Sequence, residues 1–316
     1  MRLKSALQEI VRNYNDMYWF RQRFQSKLAS PILARYYGTG GRRVSTVDWD
    51  NLLVYDACRA DMFEAVVGTD EFDSYERVNS LGTSSPDWYE ENFEDRALGD
   101  TVCVTANPWT ARIAGDSFHA LVDVWQEQQP SGSESGLEDR DLSRSIDATV
   151  TASQLSSRAR EVADRYPNKR MLVHYFQPHA PCIGSENGDT KPPEALNPDL
   201  HPGRSLQKGR VDRTTVWDAY CENLSYVHTH GQQLAKELGG RTVFTSDHGE
   251  LFGEWLCPFP MRGYAHPERL RHPKLVEVPW ATVTIGDRRT IQEETVESYE
   301  VDRKAVEQRL QELGYA

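Results

Sequence analysis

The sequence predicts an α/β protein: a mostly parallel central sheet with helices on both faces. Five short runs rich in Val, Ile, Phe and Tyr (51–57, 101–107, 171–176, 242–247 and 279–285) place apolar residues at both parities, the mark of strands covered on both sides. Helical patterns alternate with these runs, notably over 143–166 and 213–238. A chain of 316 residues can bury a full core as one large domain or two smaller ones.

Taken in order, the first element is an amphipathic helix. Leu3, Leu7, Ile10, Val11, Tyr14 and Tyr18 follow helical spacing, and interspersed charges exclude a signal segment or a spanning helix. We read 1–47 as a helical extension packed on the body, or lying at a membrane surface, and 48–316 as the main domain. "NLLVYDA" is the first strand, "TVCVTAN" the second, "MLVHYF" the third, "TVFTSD" the fourth and "PWATVTI" the fifth. Between them lie an acidic Gly/Ser-rich loop at 126–141 and a Pro/Gly-rich insertion at 184–210, which fits a lid, a substrate wall or a plain surface loop. "VDRKAVEQRLQELGY" predicts a closing helix.

The net charge is −12, which argues against a nucleic-acid partner and against nonspecific adhesion to anionic lipid. Five cysteines, an odd number with no C-x-x-C pair, fit a reducing compartment, so a cytoplasmic location is expected.

Side chains at the carboxyl ends of parallel strands face a common crevice, where such folds bind ligands. The first strand finishes at Asp56; the fourth finishes at Asp247, with His248 beside it and Gly249 turning the chain away. Two carboxylates converging there repel, and a divalent cation neutralises them. Asp56 also suits a helix N-cap. Thr83, Ser84 and Ser85 precede Pro86 and a helical run, so one hydroxyl can stand where a helix N-terminus favours anionic oxygens, although an ordinary capping run reads the same way. His179 follows the third strand between two prolines and can bind an anionic ester or protonate its leaving group. His174, inside that strand, reads as core or as support, while His266 and His272 each precede a proline.

In this order, "NLLVYDACRADMF", "GTSSPDW", "HYFQPHAP", "SDHGELFGEW" and "EVPW" resemble the alkaline phosphatase and sulfatase superfamily, most nearly its sulfatase-like branch, over about residues 48 to 285. The resemblance implies an alkaline phosphatase-like three-layer sandwich. It implies that Asp56, Ser84, Asp247 and His248 hold a divalent metal, with Ser84, two residues before Pro86, as nucleophile and Thr83 or Ser85 as alternatives. His179 matches the P-H-x-P histidine that contacts the anionic group, and His266 the late histidine of the substrate site, with His272 as second choice. Arg59 and Asp61 match a D-x-x-R-x-D start and read as an ion pair at a helix start. The departures are S-S-P-D-W in place of C-x-P-S-R, Ala57 where many sulfatases carry a second aspartate, and His228 where two-metal phosphatases carry an aspartate. One metal site is therefore complete and a second is not.

The expected activity is a metal-dependent hydrolase or transferase of phosphate mono- or diesters. A sulfatase, or a noncatalytic scaffold of the same fold, is the alternative. Two carboxylates, one imidazole and a hydroxyl suit zinc, manganese, magnesium or calcium. The expected partner is an anionic ester, glycan- or lipid-linked; the sequence does not specify the substrate or the oligomeric state.

Overall fold

The computed structural model describes residues 24–127, 149–183, 196, 202–296, 298–299 and 301–312. Among these, the strands are β1 (Asn51–Asp56), β2 (Ser74–Asn79), β3 (Leu98–Thr105), β4 (Phe118–Asp123), β5 (Arg170–Pro178), β6 (Gly240–Thr245), β7 (Leu251–Trp255), β8 (Arg262–Ala265) and β9 (Glu277–Ile285). Seven form one sheet in the order β2-β9-β6-β1-β5-β3-β4, and β7 pairs with β8 as a separate hairpin. β1 lies parallel between β5 and β6, and β3 parallel between β4 and β5, whereas β9 runs antiparallel to both β6 and β2. The mostly parallel sheet read from the sequence is the one observed.

Alternation along β1 shows why its apolar residues fill both parities. Leu53 and Tyr55 join Val173, Tyr175 and Phe244 beneath the helices Ala152–Arg165 and Arg213–Leu238. Leu52 and Val54 point the other way, to Leu172, Val243 and the Trp88, Tyr89 and Phe93 side chains of the helix Ser85–Phe93. Both layers are closed, so truncating Leu53 to alanine would cost about 2–5 kcal/mol.

Helix starts follow local chemistry. Thr151 and Gln154 form a reciprocal capping box, so the helix expected over 143–166 begins in the described part at Ala152. Asp212 accepts the Thr215 N–H at 2.8 Å and starts Arg213–Leu238, which matches the expected span. The closing helix is Arg303–Glu312.

The sequence reading did not include β2 and β4, the two edges of the sheet. β2 buries only Val78 among its six residues, so it lacks the two-sided apolar run that marked the interior strands. The amphipathic pattern at 3–18 lies outside the described residues, as do 128–141 of the acidic loop. Of the insertion, the described residues are Leu196 and 202–210, with a short helix at Pro202–Gln207. The extension's helix Ser30–Tyr37 lays Leu33 against Leu251, Leu256, Leu270 and Leu275. Among the described residues no helix is long and apolar enough to cross a membrane.

Candidate active site

Four adjacent strands, β6, β1, β5 and β3, deliver polar residues to one edge of the sheet. β1 ends at Asp56, β6 is followed by Asp247 and His248, β5 by His179, and β3 by Asn107. Ser85 reaches the same edge as the first residue of its helix. The turn after His248 requires glycine, because a Cβ on Gly249 would stand 2.2 Å from the Lys274 carbonyl oxygen. Ala57, at φ +60°, turns its N–H onto Asp247 Oδ1 at 3.1 Å.

The first cluster is made of carboxylates, an imidazole and a hydroxyl. Ser85 Oγ donates to Asp247 Oδ2 at 2.7 Å and lies 3.4 Å from Asp56 Oδ2 and 3.5 Å from His248 Nε2. His248 Nε2 stands 3.4 Å from Asp247 Oδ2 and 3.6 Å from Asp56 Oδ1. Its Nδ1 is engaged with the Gly249 carbonyl at 2.8 Å, which leaves Nε2 as the ring atom presented to the carboxylates. Asn107 Nδ2 donates to both Asp56 Oδ2 (2.8 Å) and Ser85 Oγ (3.0 Å). All of these residues are buried, yet Asp56 Oδ1 accepts no hydrogen bond. A buried carboxylate oxygen without a donor, facing an imidazole nitrogen and a second carboxylate, fits a divalent cation. His174 approaches from beneath, its Nε2 3.6 Å from Asp247 Oδ2 and without a hydrogen bond of its own, while Nδ1 meets the Tyr89 hydroxyl.

The second cluster is imidazole-rich. His266 Nδ1 lies 2.7 Å from Glu250 Oε2, and its ring stands 4.6 Å from that of His248 and 5.1 Å from that of His179, centre to centre. Ligand atoms of His179, Glu250 and His266 all fall within 4.8 Å of one another. His179 is held by its Nδ1, 2.7 Å from the Ala180 carbonyl.

Burial governs the protonation of both clusters. It pushes Asp56 well above the usual carboxylate range, and the nearby Asp247 charge adds to the effect. Burial opposes ionisation of Asp247 too, but His248, His174 and the Ser85 and Ala57 donors outweigh it and hold that carboxyl down. His174 and His266 are lowered by burial to about 4 and about 3, so both are neutral imidazoles at pH 7. Burial raises Glu250 to about 7.

Asp56, Asp247 and His248 come together as expected, and His179 and His266 border them. The expected serine does not. Ser84 caps the helix in extended conformation (φ −157°, ψ 162°), and its buried Oγ has no hydrogen-bond partner. The hydroxyl that bonds the carboxylates is that of Ser85, one of the two alternatives. Thr83 bonds Asp87 at 2.7 Å instead. His272 caps the turn Pro273–Val276 through the Lys274 N–H and takes no part. His228, the residue compared with a second metal-binding aspartate, sits among Phe63, Phe72 and Phe244, away from the crevice, and His230 packs on Tyr226. Arg59 is a buried structural ion: it pairs with Asp61 and Glu254 at 2.7 Å each and holds the Glu250 carbonyl at 3.2 Å. The sequence reading missed Asn107 and Glu250. Asn107 was legible as a polar residue at a strand end; Glu250 lay within the quoted S-D-H-G-E run.

No family model and no curated protein matches the chain at a significant level. Solved structures do. The integral membrane lipooligosaccharide phosphoethanolamine transferase A (EptA) of Neisseria meningitidis matches 89% of this chain at 15% identity with a TM-score of 0.49, and the match spans 60% of its own length. The zinc complex of the periplasmic domain of EptC from Escherichia coli matches 78% of this chain and 76% of its own at 14% identity, TM-score 0.43. An alkaline phosphatase superfamily protein of Vibrio parahaemolyticus matches 84% and 70% at 10% identity, TM-score 0.43.

Proposed function

We propose that the protein is a metal-dependent hydrolase or transferase of phosphate esters, of the sulfatase-like branch of the alkaline phosphatase superfamily, with the site carried by residues 48–316. The observation that carries this reading is the convergence of Asp56, Ser85, Asp247 and His248, each within 3.6 Å of another, across neighbouring strand ends. A divalent ion held by these four would offset the carboxylate charge and favour the ionised hydroxyl. Zinc, manganese, magnesium and calcium all remain compatible with the donor set.

In this reading Ser85, oriented by its hydrogen bond to Asp247 Oδ2, releases its proton to solvent water and Oγ attacks phosphorus. An O–P bond to the serine forms and the bond to the leaving alcohol breaks. His179, in its cationic form, donates from Nε2 to the departing oxygen, since Nδ1 is committed to the Ala180 carbonyl. Neutral His266, whose Nδ1 accepts from Glu250 in its protonated form, donates from Nε2 to a nonbridging oxygen, and Asn107 keeps Asp56 and Ser85 in register. Water or an acceptor alcohol then attacks phosphorus and gives its proton to His179, now neutral, as the bond from phosphorus to Ser85 Oγ breaks, completing hydrolysis or transfer. A substrate linked to a glycan or lipid forms part of the proposal, as does a cytoplasmic location, which the five free cysteines support.

The test is turnover of para-nitrophenyl phosphate or bis(para-nitrophenyl) phosphate by purified protein with added manganese or zinc. Asp247→Asn should abolish it. Absence of turnover on any phosphate or sulfate ester with every divalent metal tried would leave the noncatalytic scaffold as the better account.

A further inference from the structure

The net charge of −12 conceals a division of the chain. Residues 1–47 hold nine Lys or Arg against two Asp or Glu, a net +7, leaving −19 for the rest. The same segment is rich in aromatics: Tyr14, Tyr18, Trp19, Phe20, Phe24, Tyr36 and Tyr37. Where the described part begins, it forms a continuous helical stretch from Gln25 to Tyr37 with two distinct faces. Ala29 and Leu33 are buried against Leu251, Leu256 and Leu270. The opposite face exposes Lys27, Leu28, Pro31, Ile32, Arg35 and Tyr36, positions that recur at helical spacing. Leu28, Ile32 and Tyr36 are 52%, 45% and 74% exposed, and with Trp255 at 52% they are the most exposed large hydrophobic residues of the described structure.

Trp255 belongs to the hairpin against which this helix packs. It ends β7, with the Arg262 guanidinium 4.4 Å above its ring, and Phe259 of the hairpin turn meets Phe24 edge-on at 5.3 Å. Aromatic and aliphatic side chains interleaved with Lys and Arg are the chemistry of an interfacial surface: the apolar groups enter the acyl boundary and the cations meet anionic headgroups. The hairpin also fixes the distance to the crevice, since Glu250 precedes β7 and His266 follows β8. The five residues of β7 span about 15 Å.

We propose that the outer face of residues 25–37, together with Trp255 and Arg262, docks on an anionic lipid bilayer, placing the crevice about one hairpin length from the headgroups. A bilayer is favoured over a protein partner by the +7 segment charge set against an acidic body, which an extended anionic plane attracts while it repels the remainder. The docking does not depend on the reaction, so its test is binding rather than turnover.

The experiment is co-sedimentation of the full chain with vesicles of phosphatidylcholine containing about 30% phosphatidylglycerol, and with phosphatidylcholine alone, at low and high salt. The wild type is expected to bind the anionic vesicles at least about tenfold more tightly than the neutral ones, and to be released by salt. Leu28→Ser/Ile32→Ser/Tyr36→Ser and, separately, Lys27→Glu/Arg35→Glu should each weaken binding at least about tenfold while the melting temperature holds. Failure of the wild type to sediment with anionic vesicles overturns the proposal. So does unchanged binding by both variants, which would put the contact elsewhere in the chain. A wild-type dimer in light scattering that the triple variant dissociates, without vesicle binding, would make the face a self-association surface and also overturn it.

Discussion

The two side-chain clusters at the crevice share nearly complete burial and each leaves one carboxyl oxygen without a hydrogen bond, but they differ in their proportion of carboxyl to imidazole. Around Asp56 and Asp247 there are two carboxylates, with only neutral donors and imidazoles between them, and Asp56 Oδ1 has no hydrogen bond. Around His179 and His266 there is a single acid, Glu250, whose Oε2 lies 2.7 Å from His266 Nδ1 while its buried Oε1, like Asp56 Oδ1, has no hydrogen bond, and two rings remain to face a ligand. The first cluster is rich in carboxylate and the second in imidazole. Side by side they suit a cation and the anion it polarises, a division that neither fold class nor composition would supply.

The largest effect should come from the serine pair. Ser85→Ala removes the hydroxyl that touches both carboxylates and should lower kcat by roughly 10³-fold or more. Ser84→Ala, whose Oγ has no partner, should leave activity within a few-fold of wild type. The reverse pattern would restore the assignment made from the spacing to Pro86 and would mean that the helix start rotates when substrate binds.

A smaller effect divides the clusters directly. His266→Ala should cost roughly 10²-fold in activity yet retain the rise in melting temperature that manganese or zinc brings. Asp56→Asn should lose that rise, because stabilisation by a ligand requires its native donors. Equal loss of metal-induced stabilisation in both variants would merge the clusters into one metal site.

Much of this arrangement was legible before any coordinates. A strand tip carrying Asp247 and His248, a second tip at Asp56, and a proline-bounded His179 converge because parallel strands share one carboxyl edge, which periodicity alone predicts. Ser85 was legible only as one of three, since which neighbouring side chain faces inward depends on the dihedral angles of the cap, and sequence does not state them. Asn107 was hidden by attention to acids: its amide ligates nothing, but it holds Asp56 and Ser85 together. The edge strands β2 and β4 were also missed. β2 leaves four of its six residues exposed, so its composition resembles that of a loop, whereas β4 exposes none and carries an apolar run from Phe118 to Val122 broken by His119.

The smallest effect concerns a further buried acid, which shows what such a group does outside the crevice. Asp123 ends β4 as Asp56 ends β1, and burial raises its pKa to about 7, against the pull of the Tyr299 hydroxyl that donates to it at 2.8 Å. In the unfolded chain the same carboxyl titrates near 4. Between about pH 4 and pH 7 the folded protein therefore holds a proton that the unfolded chain has released, so this group makes stability fall as pH rises through that window, by at most about 1.4 kcal/mol per pH unit. Below the window the contribution is fully present, and above about pH 8 it is lost and flat. Asp123→Asn keeps the acceptor for Tyr299 and cannot titrate. The stability of wild type minus that of the variant, from urea melts across pH, should decline from pH 4 to 7 while activity on phosphate esters stays unchanged. A difference that is level or rising across that range would mean that Asp123 is ionised in the fold, and would remove burial alone as the reason Asp56 resists charge.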